Sequence, residues 1–328
     1  AQARKLQRRG IRGTPRGARG PRRRGAMVVH QRVEWVDTEL KDLKVDRLDG
    51  GVMVLTMSRL GSGNSWTEPM RNEVCFMLDR ASRDPCVRVV VITGDPDGGA
   101  FCVGMELKNN PGDPPGDVPA GRSRKNASFW RDGGGTAGLA IVSCAKPVIA
   151  AVNGNAVGVG MTLPLCCDMT VAAEDAKVGL VFGRRGLTLE ALSSFFLTRA
   201  VGWKKASELV LTGRVFRASE APPGLFNYVV PREQVLPKAL ELAREVALTA
   251  PLSAMLNRHM LIRNANLSPE EAHLIESRCI RYMSASPDHR EGVKSFMERR
   301  APEFKADPFV DVPDFWPWWR EAVTRSRL

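Results

Sequence analysis

The sequence predicts an α/β fold, in which a core of alternating strands and helices precedes a helical C-terminal region. Residues 52–93 show a strand-helix-strand pattern, and residues 147–165 show a buried strand that leads into a helix. After Leu192 the apolar residues recur mainly at helical spacing. At 328 residues the chain is long enough to bury a sizeable core.

The first unit joins two short, β-branched strands through one helix. Val52–Met57 and Val87–Thr93 are bounded by Gly or Asp, and the second is a continuous apolar run typical of a sheet buried on both faces. Between them, Thr67 supplies a capping hydroxyl two residues before Pro69. The apolar residues that follow at helical spacing are Met70, Val74, Met77 and Leu78.

A long irregular segment separates this unit from the next. Lys108–Gly135 is rich in Gly, Pro, Asp, Arg and Asn, which predicts an insertion of the kind that often forms a lid. Beyond it we predict strands over Pro147–Val152 and Met169–Ala172, and between them a helix over Gly158–Leu165. Helices are then predicted over Trp203–Thr212, Leu236–Leu248, Leu252–Arg263, Pro269–Ala285 and His289–Arg300, before an extended, Pro-rich tail over Pro302–Pro317.

The net charge of +12 is concentrated in residues 1–26, which hold nine arginines, Lys5 and no acidic residue. Removing these ten from the 48 basic residues leaves 38 against 36 acids, so the rest of the chain lacks the charge expected of a nucleic-acid-binding domain. The basic segment itself permits four interpretations: a disordered tail or a stretch before a natural start at Met27, a mitochondrial presequence, an RNA-binding arm, or an artificial extension.

Cysteine usage and the chain end predict the compartment. The seven cysteines are odd in number, without CxxC or metal-ligand spacing, and are expected to be reduced core residues. No apolar run is long enough for a membrane span, so we expect a soluble intracellular protein without a membrane partner. The terminal Ser326-Arg327-Leu328 fits a peroxisomal signal, which predicts peroxisomal localisation through the import receptor, with mitochondria as the alternative.

Two glycine-containing segments resemble the signatures of the crotonase (enoyl-CoA hydratase/isomerase) superfamily. Residues 146–154 (KPVIAAVNG), residues 156–160 (AVGVG) and Cys167-Asp168 are together similar to the central signature, and residues 100–107 (AFCVGMEL) resemble the other. They occur in the family's order at a compatible separation. Phrases such as residues 131–135 (RDGGG) are similar to fungal peroxisomal members.

The resemblance covers most of residues 45–300 and implies a crotonase-like ββα spiral. We therefore expect a basic tail over residues 1–26, the spiral core over 27–230, a helical trimerisation region over 231–301, and an extended tail with the peroxisomal signal over 302–328. The resemblance also implies a homotrimer or a dimer of trimers.

In this superfamily two backbone amides form an oxyanion hole for a thioester oxygen. Gly104 permits a tight turn before the Met105 N–H, and Gly158 and Gly160 flank Val159 at a helix start, where N–H groups lack intrahelical partners. The resemblance assigns the two donors to Met105 and Val159. The alternative is that these glycines only permit close packing of helix and strand.

The residue types after the second signature limit the reactions that the site can catalyse. Where hydratases of the family carry two glutamates, this chain has Thr162 and Phe182, neither of which can move a proton at neutral pH. Glu190 matches the catalytic Glu of Δ3,Δ2-enoyl-CoA isomerases and the nucleophilic Asp of 4-chlorobenzoyl-CoA dehalogenases. Its apolar neighbourhood is expected to desolvate the carboxyl group and raise its pKa. A solvated or helix-capping Glu is the alternative.

The expected function is therefore Δ3,Δ2-enoyl-CoA isomerisation with Glu190 as the single base, without a metal and without a cofactor beyond the coenzyme A of the substrate. Alternatives are an enoyl-CoA hydratase or dehydratase of peroxisomal lipid or secondary metabolism, a hydrolytic enzyme with Glu190 as nucleophile, and an RNA-associated or non-catalytic homologue. RNA is not expected as a partner. Further residues expected to contact the substrate are Phe101, Thr162, Phe182, Arg184, Lys294 and Arg299.

Overall fold

The computed structural model describes residues 39–106 and 131–319. The strands are Leu43–Leu48 (β1), Val52–Met57 (β2), Val89–Gly94 (β3), Val148–Val152 (β4), Ala156–Val157 (β5), Met169–Ala173 (β6), Lys177–Gly179 (β7), Val215–Arg217 (β8) and Tyr228–Val230 (β9). The α-helices are Glu68–Arg83 (α1), Gly133–Ser143 (α2), Val159–Cys166 (α3), Ser193–Thr212 (α4), Val235–Ala247 (α5), Pro251–Arg263 (α6), Pro269–Ser284 (α7) and Pro287–Glu298 (α8).

A six-stranded sheet in the order β1-β2-β3-β4-β6-β9 forms the centre of the fold. β1 pairs antiparallel with β2, and the remaining neighbours are parallel. Every residue of β3 and β4 is buried, which confirms the expectation of a sheet covered on both faces. A smaller sheet joins β5, β7 and β8, and β5 leads directly into α3.

The first β-α-β unit forms as the sequence predicts. β2 spans the predicted residues, and β3 begins two residues later than expected, at Val89. The Thr67 hydroxyl accepts a hydrogen bond from the Met70 N–H at 3.2 Å and caps α1. All four apolar positions predicted for the buried side of α1 are buried. The later helices α5 to α8 also match their predicted positions to within two residues.

Helix α2 corrects the prediction of an irregular segment up to Gly135. The helix begins at Gly133, because the Asp132 carboxylate accepts a hydrogen bond from the Gly135 N–H and caps the first turn. Residues 108–130 of the predicted lid lie outside the described residues. A second correction concerns α4, which starts ten residues before the predicted Trp203 and is interrupted at Gly202, whose φ is +73°.

The far end of α2 is fixed by a buried arginine from α6. Arg258 donates from Nη1 to the carbonyl oxygens of Val142 (2.9 Å) and Cys144 (2.8 Å), and from Nη2 to that of Ile141 (2.7 Å). Its Nε lies 2.6 Å from the carboxylate of Asp168, which also accepts a hydrogen bond from the β4 backbone. Arg258 thus supplies hydrogen-bond donors to carbonyls at the end of α2, where the regular intrahelical hydrogen bonding stops. This clamp fixes α2 relative to the sheet.

The C-terminal tail packs against α6 through its tryptophans. Trp316 donates from Nε1 to Nδ1 of His259 at 3.2 Å, and the rings of Trp316 and Trp319 both contact the imidazole. All seven cysteines are free, and most are buried or partly buried, although Cys86 is exposed. Within residues 39–106 and 131–319, no helix combines the length and apolarity that crossing a membrane requires.

Candidate active site

The two signature segments lie side by side in the structure. The Cys102 N–H donates to the Asn155 carbonyl oxygen, and the Val157 N–H donates to the Cys102 carbonyl oxygen, both at 3.1 Å. Gly104 follows with φ +100° and Gly158 with φ +58°, conformations that favour glycine. A Cβ atom on Gly158 would lie 4.0 Å from the Gly104 Cα, so the two turns are in contact.

Gly160 is required by the close approach of α3 to the other signature. A Cβ atom at this position would lie 2.0 Å from the carbonyl oxygen of Cys102, which is part of the backbone and cannot move aside. The packing interpretation therefore applies to Gly160, whereas Gly104 and Gly158 supply the turns themselves.

The amides of Met105 and Val159 follow the two turns. Val159 is the first residue of α3, where the N–H has no intrahelical acceptor and the helix dipole favours negative charge. Among the described residues, neither amide donates a hydrogen bond to a protein acceptor. The Met105 turn is held in place from both sides, since Trp66 donates to the Gly104 carbonyl at 2.8 Å and accepts from the Glu106 N–H at 2.9 Å.

The Glu190 side chain forms a hydrogen bond with a residue of α3. Its Oε1 accepts a hydrogen bond from the Thr162 hydroxyl at 2.6 Å, and Thr162 is fully buried. Because Thr162 lies one helical turn after Val159, the carboxyl group is close to the start of α3. The residues after Glu190 fix its direction: Ala191 and Leu192 both adopt left-handed backbone conformations, with φ of +50° and +59°. Such conformations cost about 1–2 kcal/mol each for non-glycine residues and often occur at functional sites.

The pKa of Glu190 is raised from its ordinary value to about 7, chiefly by burial. The hydrogen bond from Thr162 opposes this change, because it stabilises the ionised carboxylate. The neighbouring carboxyl group of Asp132 raises the pKa further. The raised pKa agrees with the expectation from the apolar sequence neighbourhood of Glu190, and a carboxyl group of this pKa exchanges protons near neutral pH.

The first turn of α2 forms one wall around Glu190. A Cβ atom on Gly134 would lie 1.6 Å from Oε2 of Glu190, so the carboxyl group occupies the space that a side chain at residue 134 would need. Asp132, the cap of the same turn, is close enough to hydrogen-bond with Glu190 when one of the two is protonated. Sequence reasoning missed Asp132. The available signal was an acidic helix cap directly before Gly133-Gly134-Gly135.

The model of the enoyl-CoA hydratase/isomerase family matches residues 47–307. The chain belongs to this family. An enoyl-CoA hydratase of Alternaria alternata, ACTT3, is 40% identical over 268 residues, which cover 80% of this chain and 86% of the relative. The 1,2-epoxyphenylacetyl-CoA isomerase of Escherichia coli is 32% identical, with coverage of 79% and 97%. The crystal structure of an enoyl-CoA hydratase from Bacillus anthracis superposes with a TM-score of 0.73 at 29% identity, covering 81% of this chain and 99% of that one.

These similarities confirm the crotonase fold and the superfamily expected from the two signatures. They identify an enzyme of enoyl-CoA hydratase/isomerase type that acts on an acyl-CoA.

The residues expected to bind substrate occupy different positions in this crotonase. Phe101 and Phe182 are buried in the core, at 1% and 8% exposure, and Thr162 contacts Glu190. Arg184 is exposed and donates from Nε to the Thr212 carbonyl at the end of α4. The remaining two are exposed: Lys294, on α8, lies 3.9 Å from Glu298, and Arg299 caps the end of that helix. Their roles toward coenzyme A stay predictions.

Within the part of the chain that the structure describes, no three His, Cys, Asp or Glu side chains come together as a metal site. The described residues that can take part in chemistry in this region of the crotonase include the two turn amides, the carboxyl groups of Glu190 and Asp132, and the Thr162 hydroxyl.

Proposed function

We propose that this protein is a Δ3,Δ2-enoyl-CoA isomerase. The amides of Met105 and Val159 bind the thioester oxygen of the substrate, and Glu190 takes a proton from C2. The electron pair of that C–H bond enters a dienolate whose negative charge rests on the thioester oxygen. Glu190 then returns the proton to C4 as the carbonyl re-forms, which moves the double bond into conjugation with the thioester.

The observation that carries this proposal is the position and pKa of Glu190. Its carboxyl group is tied to Thr162 on α3, the helix that begins with the Val159 amide, and its pKa is about 7. A base of this pKa is matched to proton transfer near neutral pH. The negative charge that develops on the thioester oxygen is stabilised by the two amides and by the positive end of the α3 dipole.

Hydration of a 2-enoyl-CoA is the second candidate function. Addition of water requires one group to remove a proton from water and a group to deliver a proton to C2 of the substrate. Residues 162 and 182 are Thr and Phe and carry no carboxyl group. The Asp132 carboxyl group beside Glu190 supplies a second one. The relatives in Alternaria alternata carry the name enoyl-CoA hydratase.

Product analysis separates the two functions. The purified protein is incubated in parallel with a 3-enoyl-CoA and with the matching 2-enoyl-CoA, and the products are identified by chromatography and mass spectrometry. We expect the 3-enoyl-CoA to convert to the 2-enoyl isomer of unchanged mass. Rapid conversion of the 2-enoyl-CoA to a product heavier by one water, without any shift of the double bond, would replace isomerisation by hydration.

Assembly, cofactor use and location complete the proposal. We propose a homotrimer or a dimer of trimers, which the family resemblance supports, and coenzyme A only as part of the substrate. Peroxisomal import rests on Ser326-Arg327-Leu328, which lie outside the described residues, so localisation stays a prediction. Deletion of Leu328 from a tagged protein should leave it in the cytosol, and retention in peroxisomes would refute this assignment.

A further inference from the structure

Asp132 and Glu190 approach each other from different elements. Asp132 precedes α2, and Glu190 precedes the left-handed turn that leads into α4. They meet at the first turn of α2, where the missing side chain of Gly134 leaves room for the Glu190 carboxyl group. Among the described residues, neither carboxylate forms an ion pair with a lysine or arginine. Asp132 raises the pKa of Glu190 through a side-chain hydrogen bond and through its charge, in addition to the larger effect of burial.

The other groups around Glu190 do not supply a competing charge. The Thr162 hydroxyl donates a hydrogen bond to Oε1 of Glu190. Burial raises the pKa of the Cys166 and Cys102 thiols to about 12, with the Glu190 charge as a smaller cause. Arg71 approaches the α2 turn, where its Nη1 would lie 3.3 Å from a Cβ on Gly133, and it binds Glu68. Asp132 is therefore the only titratable partner among the described residues to which protonated Glu190 can donate a hydrogen bond.

We propose that Asp132 is a positioning residue, which accepts a hydrogen bond from protonated Glu190. This hydrogen bond keeps the abstracted proton on Glu190 until it is returned to the substrate. This inference rests on the proposed role of Glu190 as the base. No further reactant is required: the substrate C–H bond breaks as the Glu190 O–H bond forms, and the O–H bond breaks when the proton returns to carbon. In the interval, the hydrogen bond to Asp132 slows exchange of this proton with solvent.

The Asp132→Asn variant tests the role without removing the helix cap, since the Asn side-chain oxygen still accepts from the Gly135 N–H. It removes the negative charge next to Glu190, and this removal stabilises the ionised form of Glu190. We expect the acid limb of the profile of kcat/KM against pH to move to lower pH by about one unit or more. We also expect several-fold more deuterium in the product when a 3-enoyl-CoA is isomerised in heavy water, because the abstracted proton is no longer held.

Asp132→Ser, which also keeps the cap, provides a second charge-free variant in case the first folds poorly, and it should change both readouts in the same direction. Thermal unfolding of each variant measures any purely structural effect. If both variants keep the wild-type pH profile and deuterium content while Glu190→Gln is inactive, the role of Asp132 is refuted and the proposed function stands. If Glu190→Gln is as active as the wild type, the proposed function fails, and this inference fails with it.

Discussion

Thr162 donates its hydroxyl hydrogen to Oε1 of Glu190 over 2.6 Å, and this contact joins the proposed base to the helix that begins with the Val159 amide. By the family resemblance, Thr162 is expected to occupy the position of one catalytic Glu of the two-glutamate hydratases. In this chain the position holds a hydroxyl that orients a carboxylate from elsewhere in the sequence. The Thr162 hydroxyl thereby links the Glu190 carboxyl group to α3.

Thr162→Ala is expected to raise the pKa of Glu190, because the hydroxyl stabilises the ionised carboxylate. The acid limb of kcat/KM against pH should move above its wild-type position near pH 7, and turnover at high pH should fall far less than in Glu190→Gln. Thr162→Ser keeps the hydroxyl and is the matched control. An unchanged pH profile in Thr162→Ala would show that this hydrogen bond does not act on the base.

Gly134→Ala is expected to displace Glu190, since the new Cβ would lie 1.6 Å from its Oε2. The carboxyl group is the end of a flexible side chain and can rotate away, so the fold should persist while turnover falls by roughly 100-fold or more. In Gly133→Ala, the matched control, the new Cβ would meet only the Arg71 side chain at 3.3 Å. Steady-state kinetics compares the two variants, and equal activities would contradict the assigned position of Glu190.

Glu190→Gln is expected to stabilise the protein at alkaline pH. Because the pKa of Glu190 is about 7 in the folded protein, above its ordinary 4.5, the free energy of unfolding falls as pH rises between these values. Glutamine removes this effect, so the variant should gain up to about 3 kcal/mol at pH 8 and little at pH 5. Urea unfolding at both pH values measures the difference. A variant no more stable than the wild type at pH 8 would contradict the raised pKa.

Arg258→Met is expected to reduce the free energy of unfolding by about 3–5 kcal/mol, because it leaves Asp168 and the carbonyls at the end of α2 without their partner. Arg232→Met, which breaks an exposed pair with Asp175, is the matched control and should cost about 1 kcal/mol or less. Urea unfolding of both variants checks the prediction. Similar losses in the two would mean that the clamp on α2 does not contribute as described.

The sequence predicted the parts of the site that depend on local pattern. Glycines at 104, 158 and 160 mark two turns and a close contact, and the apolar surroundings of Glu190 indicate its raised pKa. Asp132 was missed because the glycines that follow it give the start of α2 the composition of a loop. The helix forms because Asp132 caps its first turn and Arg258 binds the carbonyls at its other end. The ion pair between Arg258 and Asp168 joins residues 90 positions apart, and a local sequence pattern cannot predict such a contact. The three-residue strands β7, β8 and β9 carry too few residues for an alternating pattern to identify them.

Turnover and affinity of Glu190→Gln test the central claim most directly. Isomerisation of a 3-enoyl-CoA is followed by the absorbance of the conjugated product, and binding of an unreactive acyl-CoA is measured by calorimetry on the same preparation. Glutamine keeps the shape of the side chain but cannot accept the proton, so kcat should fall by about 100- to 10,000-fold while the Kd stays close to the wild-type value. A variant that retains most of its turnover would place the base elsewhere and contradict the account.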